Sequence, residues 1–152
     1  MKTLPPSDIQ EFDILLYESW GGLFMHCAWF TGHHWGIPTN FESLRGGPEF
    51  QEWAPGKLPK YVVRRALSHR QKMIIRLTCA ELAPLKYDYR SFFRAVITLG
   101  HWLEYGDNKQ IRCDELIKIG LERSGIPVPE VHRPEDFMDL PHRQFDVYEV
   151  VE

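Results

Sequence analysis

Four potential metal ligands, His26, Cys27, His33 and His34, fall within nine residues, with Trp29, Phe30 and Trp35 among them. Zinc takes His and Cys donors in a tetrahedron. No C-x-x-C or H-E-x-x-H spacing accompanies these four, and adjacent side chains such as His33 and His34 seldom point at one ion. Ordinary loop and core histidines beside a buried thiol explain the same pattern, so no metal is assigned. Nucleophilic catalysis requires Ser or Cys, a base and an orienting acid. Cys27 with any of the seven histidines, or His33 or His34 working with Glu42 or Glu49, meets that requirement on paper, but no motif fixes the partners. Gly21-Gly22 and Gly46-Gly47 lack the flanking residues of a phosphate-binding loop. No catalytic residue and no cofactor is assigned.

The clearest positive signal is cationic. Within residues 59–82, Val62, Val63, Ala66, Leu67, Met73, Ile74, Leu77 and Ala80 recur at helical spacing. On the opposite side Arg65, His69, Lys72 and Arg76 form one basic stripe, and no Asp or Glu occurs between Ala54 and Ala80. The spacing predicts one long central helix over residues 59–83, greasy beneath and basic on top. With Lys57, Lys60 and Arg64 the stripe suits a partner bearing phosphates, whose binding would weaken with salt. A solvated helix face explains it equally well. The run from Leu116 to Arg133 has a turn at Gly125, but Pro127, Pro129 and Pro134 would break a groove-reading helix. A second candidate contact surface is aromatic: Trp35, Phe41, Phe50 and Trp53 sit among Gly, Pro, Asn and Glu, a composition found at protein interfaces. The same residues serve equally as a roof over the helices.

The elements that would position these groups read as follows. Residues 8–20 carry Ile9, Phe12, Leu16 and Trp20 at helical spacing, with Ser7 and Gln10 as a capping box. Residues 23–30 are apolar throughout and are read as helix, with strand as the alternative. Residues 31–56, punctuated by Gly and Pro, read as an irregular loop. Helices follow at 88–105, where Asp88 caps the start, and at 113–124, where Gly125 supplies the stop. Residues 126–152 read as an extended acidic tail. The expected fold is a mainly α single compact domain of four to five helices, with a long aromatic-rich loop and a short extended C-terminal segment.

Charge and composition bound the function. The net charge is −3 over 152 residues, with a pI near 6.2, below the footprint of a nucleic-acid domain. Its distribution is uneven: residues 57–129 hold fourteen bases against seven acids, between ends that each hold seven acids against two bases. Three cysteines, an odd number, do not make a disulfide framework. The N-terminus has no apolar signal core and no stretch suits a membrane span, so a cytoplasmic protein is expected. These features favour a non-catalytic factor that docks on another protein: an inhibitor, immunity protein, antitoxin or accessory subunit. Its contact residues would be Arg65, His69, Lys72, Arg76, Trp35, Phe50 and Trp53. Nucleic-acid binding through the basic helix face is the first alternative, and a His/Cys metal-dependent enzyme the second.

Overall fold

Residues 14–17, Ile-Leu-Leu-Tyr, are buried without interruption, and this explains the architecture. A strand covered on both faces shows no polar alternation. Here Ile14 and Leu16 join one apolar cluster while Leu15 and Tyr17 join another on the opposite face. The computed structural model describes residues 1–19, 24–44, 47–53, 56–83 and 112–152. Seven strands form one sheet: β1 (Lys2–Leu4), β2 (Ile14–Ser19), β3 (Phe24–His34), β4 (Ile37–Leu44), β5 (Gly47–Glu52), β6 (Tyr61–Arg64) and β7 (Asp146–Val150). Their order is β1-β7-β6-β2-β3-β4-β5. Only β1 and β7 run parallel; every other neighbouring pair is antiparallel. Two α-helices lie among the described residues, α1 (His69–Leu82) and α2 (Cys113–Arg123), with 3₁₀ turns at Pro6–Asp8 and Pro134–Asp139.

The mainly α expectation is therefore wrong: the chain is built on a seven-stranded mixed sheet. Residues 8–20 hold the end of a 3₁₀ turn and strand β2, and residues 23–30 contribute most of β3. The supposed loop over residues 31–56 holds the end of β3 and all of β4 and β5. Its glycines and prolines shape a sheet. Trp35 and Gly36, at φ 54° and 79°, make the two-residue turn that joins β3 to β4. Gly32, at φ 96°, sits at a bulge in β3, and Pro48 lies in the edge strand β5, where a missing N–H is tolerated. The expected helix at 88–105 lies outside the described residues. The tail carries a 3₁₀ turn and β7.

The long central helix over residues 59–83 is two elements. Val62 and Val63 face opposite sides of the sheet in β6, and α1 begins only after Ser68. Ser68 Oγ accepts from the Gln71 N–H at 3.1 Å, and Gln71 Oε1 accepts from the Ser68 N–H at 2.9 Å, which fixes the helix start. One side of the sheet is covered by Ile75, Cys79 and Leu82 of α1 and by Leu116, Ile117 and Leu121 of α2. On the other side Leu15, Tyr17, Ala28, Phe30 and Val62 cluster with Leu4, Tyr148 and Val150 of the outer strands and with Ile9 and Trp53. Among the described residues no helix is long and apolar enough to cross a membrane.

The turn before β2 is locked by a buried ion pair. Asp13, 2% exposed, accepts from Arg64 Nη2 at 2.6 Å, from Arg64 Nε at 2.9 Å and from the Gln10 N–H at 2.8 Å. Asp13→Ala strands the guanidinium and is expected to lower unfolding free energy by about 3–5 kcal/mol, read by urea denaturation.

Candidate active site

Cys113 is the first residue of α2. The opening N–H groups of a helix have no partner within it, and the helix dipole adds positive potential there. A thiol at this position is pulled toward thiolate. Arg112 anchors the approach: its N–H donates to Glu115 Oε2 at 3.0 Å, and its Nη2 donates to Asp114 Oδ2 at 2.6 Å and to the His132 carbonyl at 3.0 Å. The far half of α2 is seated by Gly120. A Cβ on Gly120 would lie 3.2 Å from the Trp29 indole, so the bare backbone lets the helix rest on β3. Gly120→Leu is expected to cost about 1–3 kcal/mol in urea denaturation, because the indole has to be displaced.

The helix end meets β3 at His26 and Cys27. Cys113 packs against the cluster that holds Cys27, and the Cys27 and His26 side chains are the groups that act on its thiol. The β3–β4 pairing runs from Ala28 opposite Glu42 to the hairpin turn. Glu42, 8% exposed, reaches back along the sheet to His26, where its Oε2 contacts Nε2. With Nε2 engaged by the carboxylate, Nδ1 is the ring nitrogen left for the sulfur. The outcome is a row of thiol, imidazole and carboxylate drawn from α2, β3 and β4. Tyr17 pairs with His26 across β2 and β3, and their ring centroids lie 6.5 Å apart.

Charge within the row is set by its members. The hydrogen bond from Cys27 and the adjacent His26 outweigh burial and lower the Cys113 pKa to about 4. Burial disfavours the His26 imidazolium, but Cys113 and Glu42 more than compensate and raise its pKa to about 9. Each group thus favours the charged form of the other, the Cys113 thiolate and the His26 imidazolium. Cys27 is the opposite case: burial, followed by the neighbouring Cys113 charge, pushes its pKa well up and keeps it a protonated donor. Burial and the charge of Glu42 likewise keep the Tyr17 phenol protonated. Cys79 is an ordinary buried thiol, pushed up to about 12 by desolvation.

The four residues weighed as a metal cluster divide between two environments. His26 and Cys27 lie in the row just described, while His33 and His34 are exposed toward the far end of β3. Among the described residues no group of three or more His, Cys, Asp and Glu side chains is placed to hold a metal ion. The basic stripe is only in part a helix face: His69, Lys72 and Arg76 keep helical spacing on α1, but Arg65 lies before it. Arg65 precedes α1, donates to Gln144 Oε1 at 2.6 Å and lies over the Phe145 ring, whereas Arg76 is ion-paired with Glu11. His69 and Lys72 stand on the opening turns of α1. Of the aromatics, Trp35 is 99% exposed at its hairpin and Phe50 is 50% exposed on β5, but Trp53 packs against Phe30 and Phe41 is buried.

Sequence reasoning named His26 as a metal ligand and, as one of seven histidines, as a possible base for Cys27; it named Glu42 only as a partner for His33 or His34, and it gave Cys113 no chemistry. The signal that was present is a cysteine at the predicted first position of a helix. No family model matches the chain, and no curated protein and no solved structure is similar enough to register as a match.

Proposed function

We propose that this protein is an acyl-transfer enzyme with Cys113 as nucleophile, His26 as general acid and base, and Glu42 as the group that orients the imidazole. The observation that supports this reading is the contiguous row Cys113–His26–Glu42 at the N-terminus of α2. Nucleophile, base and orienting acid within hydrogen-bond reach are the recurring requirement of such catalysis on unrelated folds. The substrate class is a carbonyl compound with a displaceable amine, alcohol or thiol: an amide, ester or thioester.

The chemistry follows from the charges. The Cys113 thiolate adds to the carbonyl carbon, and the oxyanion that develops is met by unpaired N–H groups of the first turn of α2. The His26 imidazolium gives its proton to the leaving group as the carbon–heteroatom bond breaks, which leaves a thioester on Cys113 and a neutral imidazole. Water, or an acceptor amine, alcohol or thiol, then loses a proton to His26 as it attacks the thioester, and the thiolate is expelled. Glu42 keeps the ring aimed and favours the imidazolium each time it forms.

The test is a panel of activated esters, thioesters and anilides, with intact-mass detection of the acyl-enzyme. One acyl group on Cys113, absent from Cys113→Ala, is the expected result. A chain that acquires no acyl group from any donor, or acquires it elsewhere, overturns the reading.

The protein-docking reading keeps one specific support, the exposed pair Trp35 and Phe50. Trp35→Ser is expected to change stability by no more than about 0.5 kcal/mol, whereas in the double variant Phe50→Ser also loses a ring contact with Phe41 at 4.7 Å and is expected to cost about 1 kcal/mol. Undiminished recovery of a specific partner from native extract by that double variant would end this second reading.

A further inference from the structure

The proposed reaction does not consume one prominent feature of the site: a second thiol touching the nucleophile. Cys27 is fully buried on β3, Cys113 packs against the same apolar cluster, and each thiol acts on the protonation of the other. A buried cysteine is commonly an inert small apolar residue. This one sits against a partly exposed cysteine at a helix N-terminus, the setting in which thiolates meet oxidants. The third cysteine, Cys79, belongs to α1 and is not among the groups that act on Cys113.

We infer that Cys27 is a resolving cysteine: hydroperoxides convert the Cys27–Cys113 pair to an intramolecular disulfide, which switches the site off reversibly and spares the nucleophile from irreversible oxidation. The inference rests on the thiolate reading of Cys113 given above.

The steps balance. The Cys113 thiolate attacks one peroxide oxygen and the O–O bond breaks. The sulfur becomes a sulfenic acid, and the departing hydroxide takes a proton from the His26 imidazolium to leave as water. The Cys27 sulfur then attacks the sulfenic sulfur, the S–O bond breaks, and the Cys27 proton leaves with the hydroxyl as a second water. Two electrons have passed from two sulfurs to one peroxide. A dithiol returns them by thiol–disulfide exchange. Because Cys27 stays protonated, its attack is slower than that of an exposed thiolate, so the sulfenic acid is expected to accumulate briefly and to be trapped by dimedone.

The shift from contact to bond is small in reach but not in kind. The two sulfurs must close to about 2.05 Å, with the torsion of a disulfide. β3 is central in the sheet and paired on both sides, so the approach falls to the Cys113 side chain and the first turn of α2. Oxidation therefore removes the nucleophile from His26 and alters the helix end that is proposed to receive the oxyanion.

The experiment treats the whole protein with hydrogen peroxide near stoichiometry, blocks free thiols, and maps peptides without reduction. The expected product is a Cys27–Cys113 linked peptide, with thiolate absorbance lost on oxidation and restored by dithiothreitol. In Cys27→Ala the same treatment is expected to drive Cys113 to sulfinic acid, with recovery by dithiothreitol about tenfold poorer than in the unmodified chain. If Cys27→Ala does not fold, the linked peptide in the unmodified chain still decides. Cys113 found as sulfinic acid with Cys27 still blockable overturns the switch and leaves the proposed nucleophile standing. Cys113 unreactive toward both peroxide and alkylating agents at about pH 6 overturns the two readings together.

Discussion

Cys113→Ala is expected to abolish acyl transfer, lowering turnover by about 10³–10⁴-fold or more on any donor the protein accepts. His26→Ala should do nearly the same, and the double variant should be no worse than either alone, because nucleophile and base act as a unit. Both side chains are partly exposed at the rim of the sheet, so neither replacement opens a large cavity in the core. Glu42→Gln separates orientation from charge. The amide keeps a polar group beside Nε2 but no longer favours the imidazolium, and it can select the wrong ring tautomer, an error worth up to about 10⁴-fold in related triads. A full rate in Cys113→Ala would remove the proposal. A full rate in Glu42→Gln alone would remove only the role given to the carboxylate. Unfolding curves for each variant separate lost chemistry from lost structure.

The second large effect is electrostatic. Titrated by its ultraviolet absorbance, the Cys113 thiolate is expected to appear near pH 4 in the unmodified chain, since Cys27 and His26 hold its pKa at about 4. Raising the pH through about 9 then removes the proton from His26. Steps that need the imidazolium as acid should thus rise through the lower value, hold level, and fall through the upper one. His26→Ala deletes the cation that favours the thiolate, so the lower inflection must move up. An ordinary cysteine titrates near 8.5, and a rise of at least about two pH units, a 10²-fold change in the proton equilibrium, is expected. The position of the inflection is the readout; the alkylation rate is not. A thiolate of low pKa is intrinsically a weaker nucleophile, with a Brønsted slope of about 0.4–0.5, and this masks much of the gain in ionised fraction. An inflection that stays near 4 in His26→Ala would mean that the two side chains do not share charge.

The signals that survive from sequence to structure are local. Ser68 and Gln71 spell a capping box and do start α1, although the reading buried them inside a longer helix. Gly125, at φ 80°, lies just past α2, where its left-handed backbone ends the helix. What misled was period. Ile14 through Tyr17 and Cys27 through Phe30 are buried on both faces, so the two-residue alternation that marks a half-exposed strand is absent. Over residues 61–64 the apolar positions suit a helix by coincidence, and tertiary pairing with β2 and β7 decides for a strand. The site was harder still. His26 was visible as a histidine, Glu42 as an acid and Cys113 as a helix-opening thiol, yet their adjacency depends on α2 packing across β3. One long-range contact of that kind leaves no trace in spacing.

The parallel pairing of β1 with β7 carries a kinetic consequence. Lys2 registers with Tyr148 and Leu4 with Val150, so this seam joins segments from opposite ends of the described chain. Hairpins such as β3–β4 close tiny loops and form within microseconds, whereas a seam spanning nearly the whole polypeptide bears the largest loop-closure entropy and has three register pairs to repay it. During refolding the outermost ribbon is therefore the last piece to dock, and in native-state hydrogen exchange the amides of residues 2–4 should open first, well before those of β2 and β3. His26 and Glu42 of the proposed row lie on β3 and β4, away from this seam, so their pairing is assembled before the sheet's own hem is sewn.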